Sequence, residues 1–204
     1  MSEYVYPNAD LRCAGKYLLP VVKKLVPYLP PQAVVADLGC GNGSILANFR
    51  QYRWELHGLE MSRSGIEQAA KAYPGIQFGY ADLTTDLSSH PLVGRCDVVI
   101  STEVVEHVFL PRTYAKNCSC FLKSGGILII STPYHGYLKN VALALAGKMD
   151  FHYTALWDYG HIKFWSRQTL TALLAEAGFD VQRFVGVGRA SYFWKSMILV
   201  AKKL

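Results

Sequence analysis

No apolar run in the 204-residue chain approaches the ~18 residues that a membrane-spanning helix requires. VALALAG, Val141 to Gly147, is far too short. The N-terminus, MSEYVYPNADLRC, lacks a basic region followed by an apolar one, so no secretory signal is expected and the chain reads as soluble and cytoplasmic. Its five cysteines (Cys13, Cys40, Cys96, Cys118, Cys120) are odd in number and irregularly spaced, which fits neither a disulfide framework nor a CxxC metal site. Reduced thiols in a cytosol agree with that pattern. Low-complexity tracts and internal repeats are absent, which excludes a disordered chain or a solenoid. Acid is the scarcer charge: 15 Asp and Glu against 21 Lys and Arg leave a net charge of +6. A positive surface admits an acidic partner such as nucleic acid. The basic residues are scattered, however, with Lys23-Lys24, Arg50 and Arg53, and Lys202-Lys203 in different parts of the chain, which argues for a solvated surface.

What is present is enough apolar sequence for one core: 51% of residues are hydrophobic and 13% aromatic. Residues 1–32 read as an N-terminal helical extension and 33–204 as a single domain. From Ala33 onward, short apolar runs alternate with helix-like segments, the pattern of an α/β doubly wound, mostly parallel sheet. The strand runs are AVVADL (Ala33 to Leu38), ELHGLE (Glu55 to Glu60), IQFGYA (Ile76 to Ala81), DVVIS (Asp97 to Ser101) and GILIIST (Gly126 to Thr132). Between them ILANFRQY, SGIEQAAKAY and RTYAKNCSCFL are helix candidates, and Ser166 reads as the N-cap of RQTLTALLAEA, which stops at Gly178. VQRFVGV and SYFWKSMILVAKK, joined by the short GRA turn, predict a closing antiparallel hairpin. Residues 133–165 break the rhythm and are rich in aromatic and histidine side chains, Tyr134, His135, Tyr137, His152, Trp157 and Trp165 among them. Following a strand's C-terminal end, this insertion is placed to cover the ligand crevice as a lid or to pack against the body.

The first strand opens into DLGCGNGS, Asp37 to Ser44, with glycines as G-x-G-x-G rather than the dinucleotide G-x-G-x-x-G. Flanking charge decides between cofactors. A carboxylate at Asp37 repels a pyrophosphate but attracts an ammonium, and S-adenosylmethionine carries an ammonium with a sulfonium nearby. Glu60 ends the second strand, where a carboxylate accepts from ribose hydroxyls, a feature shared with NAD sites. Asp82, just past the third strand, is placed to meet an adenine amino group; taken alone it also reads as a solvated loop residue or a helix cap. Three carboxylates at the ends of successive strands favour S-adenosylmethionine.

DLGCGNG, GLE at Glu60, ADL at Asp82, CDVVISTEVVEHV, LKSGGILIISTP and HIKFWSRQTL…EAGF together resemble the class I S-adenosylmethionine-dependent methyltransferases. Within them the chain is similar to the ubiquinone-biosynthesis O-methyltransferase-like (methyltransferase type 11/12) group. The resemblance covers about Val34 to Leu204 and implies a Rossmann-like seven-stranded sheet ending in a reversed hairpin. It also implies that Asp37, Gly39, Cys40, Gly41 and Gly43 line the cofactor's methionine end. Glu60 would hold the ribose and Asp82 with Leu83 the adenine. Met61 would pack on the adenine ring or in the core, and Ser101 and Thr102 would border the methyl group. Tyr6, Arg12 and Tyr17 are candidates to close over the cofactor.

In EVVEH, Glu103, Glu106 and His107 stand at i, i+3 and i+4, on one face if the segment is helical. Two carboxylates and an imidazole beside a methyl donor can hold a divalent ion, Mg, Mn or Zn, with His161 of GHIKFW as a further ligand by resemblance to metal-dependent RNA 2′-O-methyltransferases. The same residues can instead organise hydrogen bonds under the cofactor loop. In a metal-free reaction His107 or His161, with Glu106, is the candidate general base; His135 and His152 read as lid residues. The expected function is methyl transfer from S-adenosylmethionine to a small aromatic or apolar acceptor, at oxygen. A metal-dependent RNA 2′-O-methyltransferase and a non-catalytic cofactor-binding protein are the alternatives. No recognisable RNA-binding module fits before the domain, which argues against nucleic acid, and a monomer or homodimer is expected.

Overall fold

The computed structural model describes residues 4–11, 13–153 and 155–204. The strands are β1 (Val34–Leu38), β2 (Glu55–Glu60), β3 (Gln77–Tyr80), β4 (Cys96–Thr102), β5 (Leu122–Pro133), β6 (Phe179–Val187) and β7 (Ser196–Lys203). They form one sheet in the order β3-β2-β1-β4-β5-β7-β6. β1 pairs in parallel with β2 and β4, β2 with β3, and β4 with β5. β7 runs antiparallel between β5 and β6. This is the expected Rossmann-like α/β architecture with its reversed C-terminal strand.

Every residue of β1 is buried, as a central strand covered on both faces must be. The helices are α1 (Cys13–Leu25), α2 (Arg63–Ala72), α3 (Pro111–Phe121), α4 (Tyr137–Leu145), α5 (Met149–Tyr153) and α6 (Arg167–Glu176). One face of the sheet packs Leu128 and Ile130 against Tyr114, Phe121 and Leu174; the other packs Val35, Ile100 and Ile129 with Leu18 and Phe49. Among the described residues no helix is long and apolar enough to cross a membrane.

Ser166 caps α6 in a reciprocal box. Its hydroxyl accepts from the Thr169 amide at 3.2 Å while the Thr169 hydroxyl accepts from the Ser166 amide at 3.0 Å. Replacing Ser166 with alanine is therefore expected to cost ~1 kcal/mol of stability, read from chemical denaturation with an unchanged slope.

Two expectations fail locally. ILANFRQY forms only a 3-10 turn over Leu46–Phe49. The Asn48 side-chain amide donates to the Ser44 carbonyl that an α-helical amide would use, and the Asn48 amide turns to Ile45 instead. In the hairpin, β7 begins at Ser196 rather than Ser191. The Trp194 ring folds onto Tyr134 and Phe184, leaving 188–195 as a loop longer than the GRA turn.

The N-terminal segment lies across the glycine loop. The Asn42 side-chain amide donates to the carbonyls of Asn8 and Asp10, Ser62 Oγ donates to the Tyr4 carbonyl, and Tyr73 Oη donates to the Ala9 carbonyl.

Candidate active site

The C-terminal ends of β1, β2 and β4 meet at the glycine loop. The Gly39 and Cys40 amides donate to the Leu59 carbonyl, turning the chain sharply out of β1. Gly39 and Gly41 have φ of +79° and +56°, a conformation that favours glycine. A Cβ on Gly39 would come 2.5 Å from Val104 and one on Gly41 2.8 Å from Tyr6 Oη, so both approaches also need the missing side chain. Tyr6 thus lies against the loop, whereas Arg12, also a candidate to close over the cofactor, falls outside the described residues.

Asp37, at 1% exposure, leaves Oδ1 without a hydrogen-bond partner. Burial first and the Glu60 carboxylate second push its pKa up to about 8. Glu60 accepts from the backbone amides of Gly41 (2.7 Å), Met61 (2.8 Å) and Ser62 (2.9 Å), so it staples the glycine loop to the start of α2. Met61 is 52% exposed beside it, not a core methionine. Asp82 Oδ1 accepts from both the amide and the hydroxyl of Thr84, a loop-forming role, while Leu83 is buried in the core. Ser101 is fully buried and engaged within the sheet: its hydroxyl donates to the Leu38 carbonyl and accepts from Tyr114 Oη. Cys40 is buried, and Thr102 lies half-buried at the strand end.

EVVEH is a turn rather than a helix. Glu103 sits at φ +55°, and the His107 amide closes onto the Val104 carbonyl. The two carboxylates take different hydroxyl partners. Glu103 accepts from Ser131 Oγ (2.8 Å) and from Ser196 Oγ (3.0 Å), and Ser196 in turn hydrogen-bonds Tyr17 Oη at 2.9 Å. Tyr17 is thereby linked to Glu103 through Ser196. Glu106 accepts from Thr132 Oγ1 at 2.9 Å, and its Oε1 has no hydrogen-bond partner.

The segment Gly160 to Trp165 docks on this turn. The Ile162 and Lys163 amides both donate to the Glu106 carbonyl, and Trp165 Nε1 donates to the Val105 carbonyl. His107 Nδ1 faces the Gly160 carbonyl at 3.2 Å; as the Nδ1–H tautomer it donates there, leaving an Nε2 lone pair 3.9 Å from Glu106 Oε1. One ligand atom each from Glu106, His107 and His161 lie within 4.8 Å of one another. Glu103 is not in that group. Burial, and then the neighbouring Glu103, hold the Glu106 carboxyl well above its usual range, while burial before all else pushes Glu103 up to about 7. His107 is lowered by burial, and His161 is pushed down to about 4 by burial and then by His107, so both imidazoles are neutral at pH 7.

A family model described as a methyltransferase domain matches residues 10–183. The chain belongs to the methyltransferase-domain family. The ubiquinone biosynthesis O-methyltransferase of Caulobacter sp. (strain K31) is 31% identical over 157 residues, 74% of this chain and 61% of that protein. The chain therefore spans about three fifths of that relative's length. Among solved structures, an S-adenosylmethionine-dependent methyltransferase from Mesorhizobium loti superposes with a TM-score of 0.71 at 18% identity, covering 90% of this chain and 96% of the other. The [4+2]-cyclase SpnF also superposes, with a TM-score of 0.71 at 15% identity, covering 91% of this chain and 80% of that one. At such identities the likeness shows the fold alone, and a fold shared with a cyclase does not fix a reaction.

This methyltransferase domain, of the S-adenosylmethionine-dependent class, contains site residues that sequence reasoning passed over. Ser131 and Thr132 at the end of β5 and Ser196 at the start of β7 supply the hydroxyls that hold the two glutamates. The available signal was position: like Ser101 and Thr102, they stand at one edge of the sheet. Lys139 of α4 was also missed; it is buried, and its ammonium donates to the carbonyls of Tyr134 and Trp194.

Proposed function

We propose that this domain transfers the methyl group of S-adenosylmethionine to a hydroxyl oxygen of a small, flat acceptor held beneath residues 133–165. What carries the reading is the convergence of Glu106, His107 and His161 on the crevice edge of the sheet, next to a glycine loop whose buried Asp37 suits an ammonium. The sulfonium already activates the methyl group, so much of the catalysis is alignment of the acceptor oxygen with the donor. A neutral His107, with Nδ1–H on the Gly160 carbonyl, presents Nε2 to take the hydroxyl proton. His135 lies 5.0 Å from Phe164, and Phe164 4.9 Å from Tyr153, each ring pair edge to face, which suits an aromatic acceptor. The relatives named for ubiquinone biosynthesis support oxygen as the methylated atom.

A divalent ion fits the same residues. Glu106 Oε1 is buried without a partner, and a backbone carbonyl orients His107, the support that ligating histidines receive. Glu106, His107 and His161 would hold such an ion, which would lower the pKa of the acceptor hydroxyl. Calorimetric titration of Mg, Mn and Zn into metal-stripped protein saturated with S-adenosylhomocysteine tests this. One ion should bind, and the Glu106→Ala, His107→Ala double variant should abolish the heat. No binding leaves His107 as the proton acceptor. Transfer of methyl to catechols but to no carboxylate oxygen or amine is the expected outcome of an acceptor screen.

A further inference from the structure

Helix α4 is packed inside out. Its buried residue is Lys139, whereas Tyr137 and Leu145 face solvent at 81% and 85% exposure. The Lys139 ammonium uses two of its three donors on the carbonyls of Tyr134 (2.8 Å) and Trp194 (3.1 Å). Among the described residues no carboxylate stands within ion-pair distance of it. Glu103 is the acid that acts on it, but both oxygens of Glu103 are held by Ser131 and Ser196.

Two more groups act electrostatically with Lys139. Arg189, in the loop after β6, repels Lys139, which burial and this neighbour push down to about 8. His152 of α5 is lowered by burial and then by both cations, and its Nε2 is buried with no hydrogen-bond partner. Its ring lies 4.9 Å from that of His135, which carries the cluster to the aromatic wall of Phe164 and Tyr153. A buried ammonium with a donor to spare, an orphaned nitrogen in the same lid and an exposed guanidinium that repels the ammonium are unfavourable by themselves. A bound anion reverses each cost: it takes the third Lys139 donor, an Nε2–H of His152 and, from the rim, the guanidinium of Arg189.

Resting on the methyl-transfer reading, we propose that Lys139, His152 and Arg189 form a subsite for a carboxylate borne by the aromatic acceptor. The acceptor is then a hydroxylated aromatic acid, gripped at one end by Lys139 while its hydroxyl points toward Glu106, His107 and His161. The lid lysine selects the substrate.

The test is a calorimetric titration of the S-adenosylhomocysteine complex with 3,4-dihydroxybenzoate and with its neutral isostere 3,4-dihydroxybenzamide. Wild type should bind the acid tighter than the amide by about tenfold or more, the worth of a charge-assisted hydrogen bond. Lys139→Met should bring the two within about twofold while still binding the amide, which certifies the fold, and Lys139→Arg should restore part of the preference. Arg189→Gln, an exposed site, should fall between. Equal binding of the two compounds, binding of neither, or a preference that survives Lys139→Met overturns the subsite. Methyl transfer is a separate readout: preference without turnover upholds the subsite and sinks the methyl-transfer reading, and turnover without preference does the reverse.

Discussion

Glu106→Gln is expected to lower kcat for methyl transfer by about 10²-fold or more while leaving S-adenosylhomocysteine affinity within about threefold. Glutamine keeps the shape of the buried side chain, and its carbonyl can still accept from Thr132 Oγ1, so the fold survives. What changes is the other oxygen. Oε1 is buried, has no hydrogen-bond partner and faces His107 Nε2 at 3.9 Å, and burial followed by Glu103 holds its carboxyl well above the usual range, so it can carry a proton or give it up to a cation. The amide neither ionises nor offers a carboxylate oxygen to a cation, so the proton-handling or ion-binding role of that oxygen beside His107 is lost. Glu106 lies outside the set of residues expected to bind the cofactor, so on the proposed reading binding and chemistry should separate: kcat falls and the affinity for S-adenosylhomocysteine does not. Steady-state kinetics on an acceptor found active with wild type, beside calorimetry of cofactor binding, make the comparison. An unchanged kcat would show that the turn after β4 is scaffolding.

The sheet was legible because parallel strands declare themselves as continuous β-branched runs and their ends as carboxylates or glycines: Asp37, Glu60 and Asp82 were found that way. What those carboxylates touch was not legible. Glu60 proved to be engaged by the amides of Gly41, Met61 and Ser62, and Asp82 by Thr84, because backbone donors at a turn depend on φ and ψ that no side-chain pattern specifies. EVVEH shows the same limit. Its spacing would align Glu103 and Glu106 on a helix, but Glu103 at φ +55° swings its carboxylate toward Ser131 and Ser196, one of them 93 residues away in sequence. A periodicity argument presumes the period, and a turn has none. Lys139 escaped for a related reason: residues 133–165 break the strand–helix rhythm, so the sequence assigned no face to this lysine, which the fold turns inward onto the Tyr134 and Trp194 carbonyls.

Asp37→Asn is expected to weaken S-adenosylhomocysteine binding by about 10- to 100-fold and to abolish a proton release that accompanies binding to wild type. The Asp37 carboxyl ends β1 with Oδ1 unpartnered, and burial followed by the nearby Glu60 charge raises its pKa from the ordinary 3.8 to about 8. It is therefore protonated at pH 7 without cofactor. The ammonium of the ligand's methionine end reverses the balance, because a cation at hydrogen-bond distance favours the charged carboxylate. Binding at pH 7 must then expel the proton, and calorimetry in two buffers of different ionisation enthalpy reads it as a difference in apparent heat. The sign for stability follows from the same shift. A carboxyl raised in the folded state contributes stability that is fully present below pH 3.8 and is lost as pH rises through about 8. Asparagine does not titrate, so cofactor-free Asp37→Asn should lose less melting temperature than wild type between pH 5 and about 9. Equal proton release by the two proteins would place the titrating group elsewhere, with Glu60, at the end of β2 beside the loop, the next carboxylate to replace.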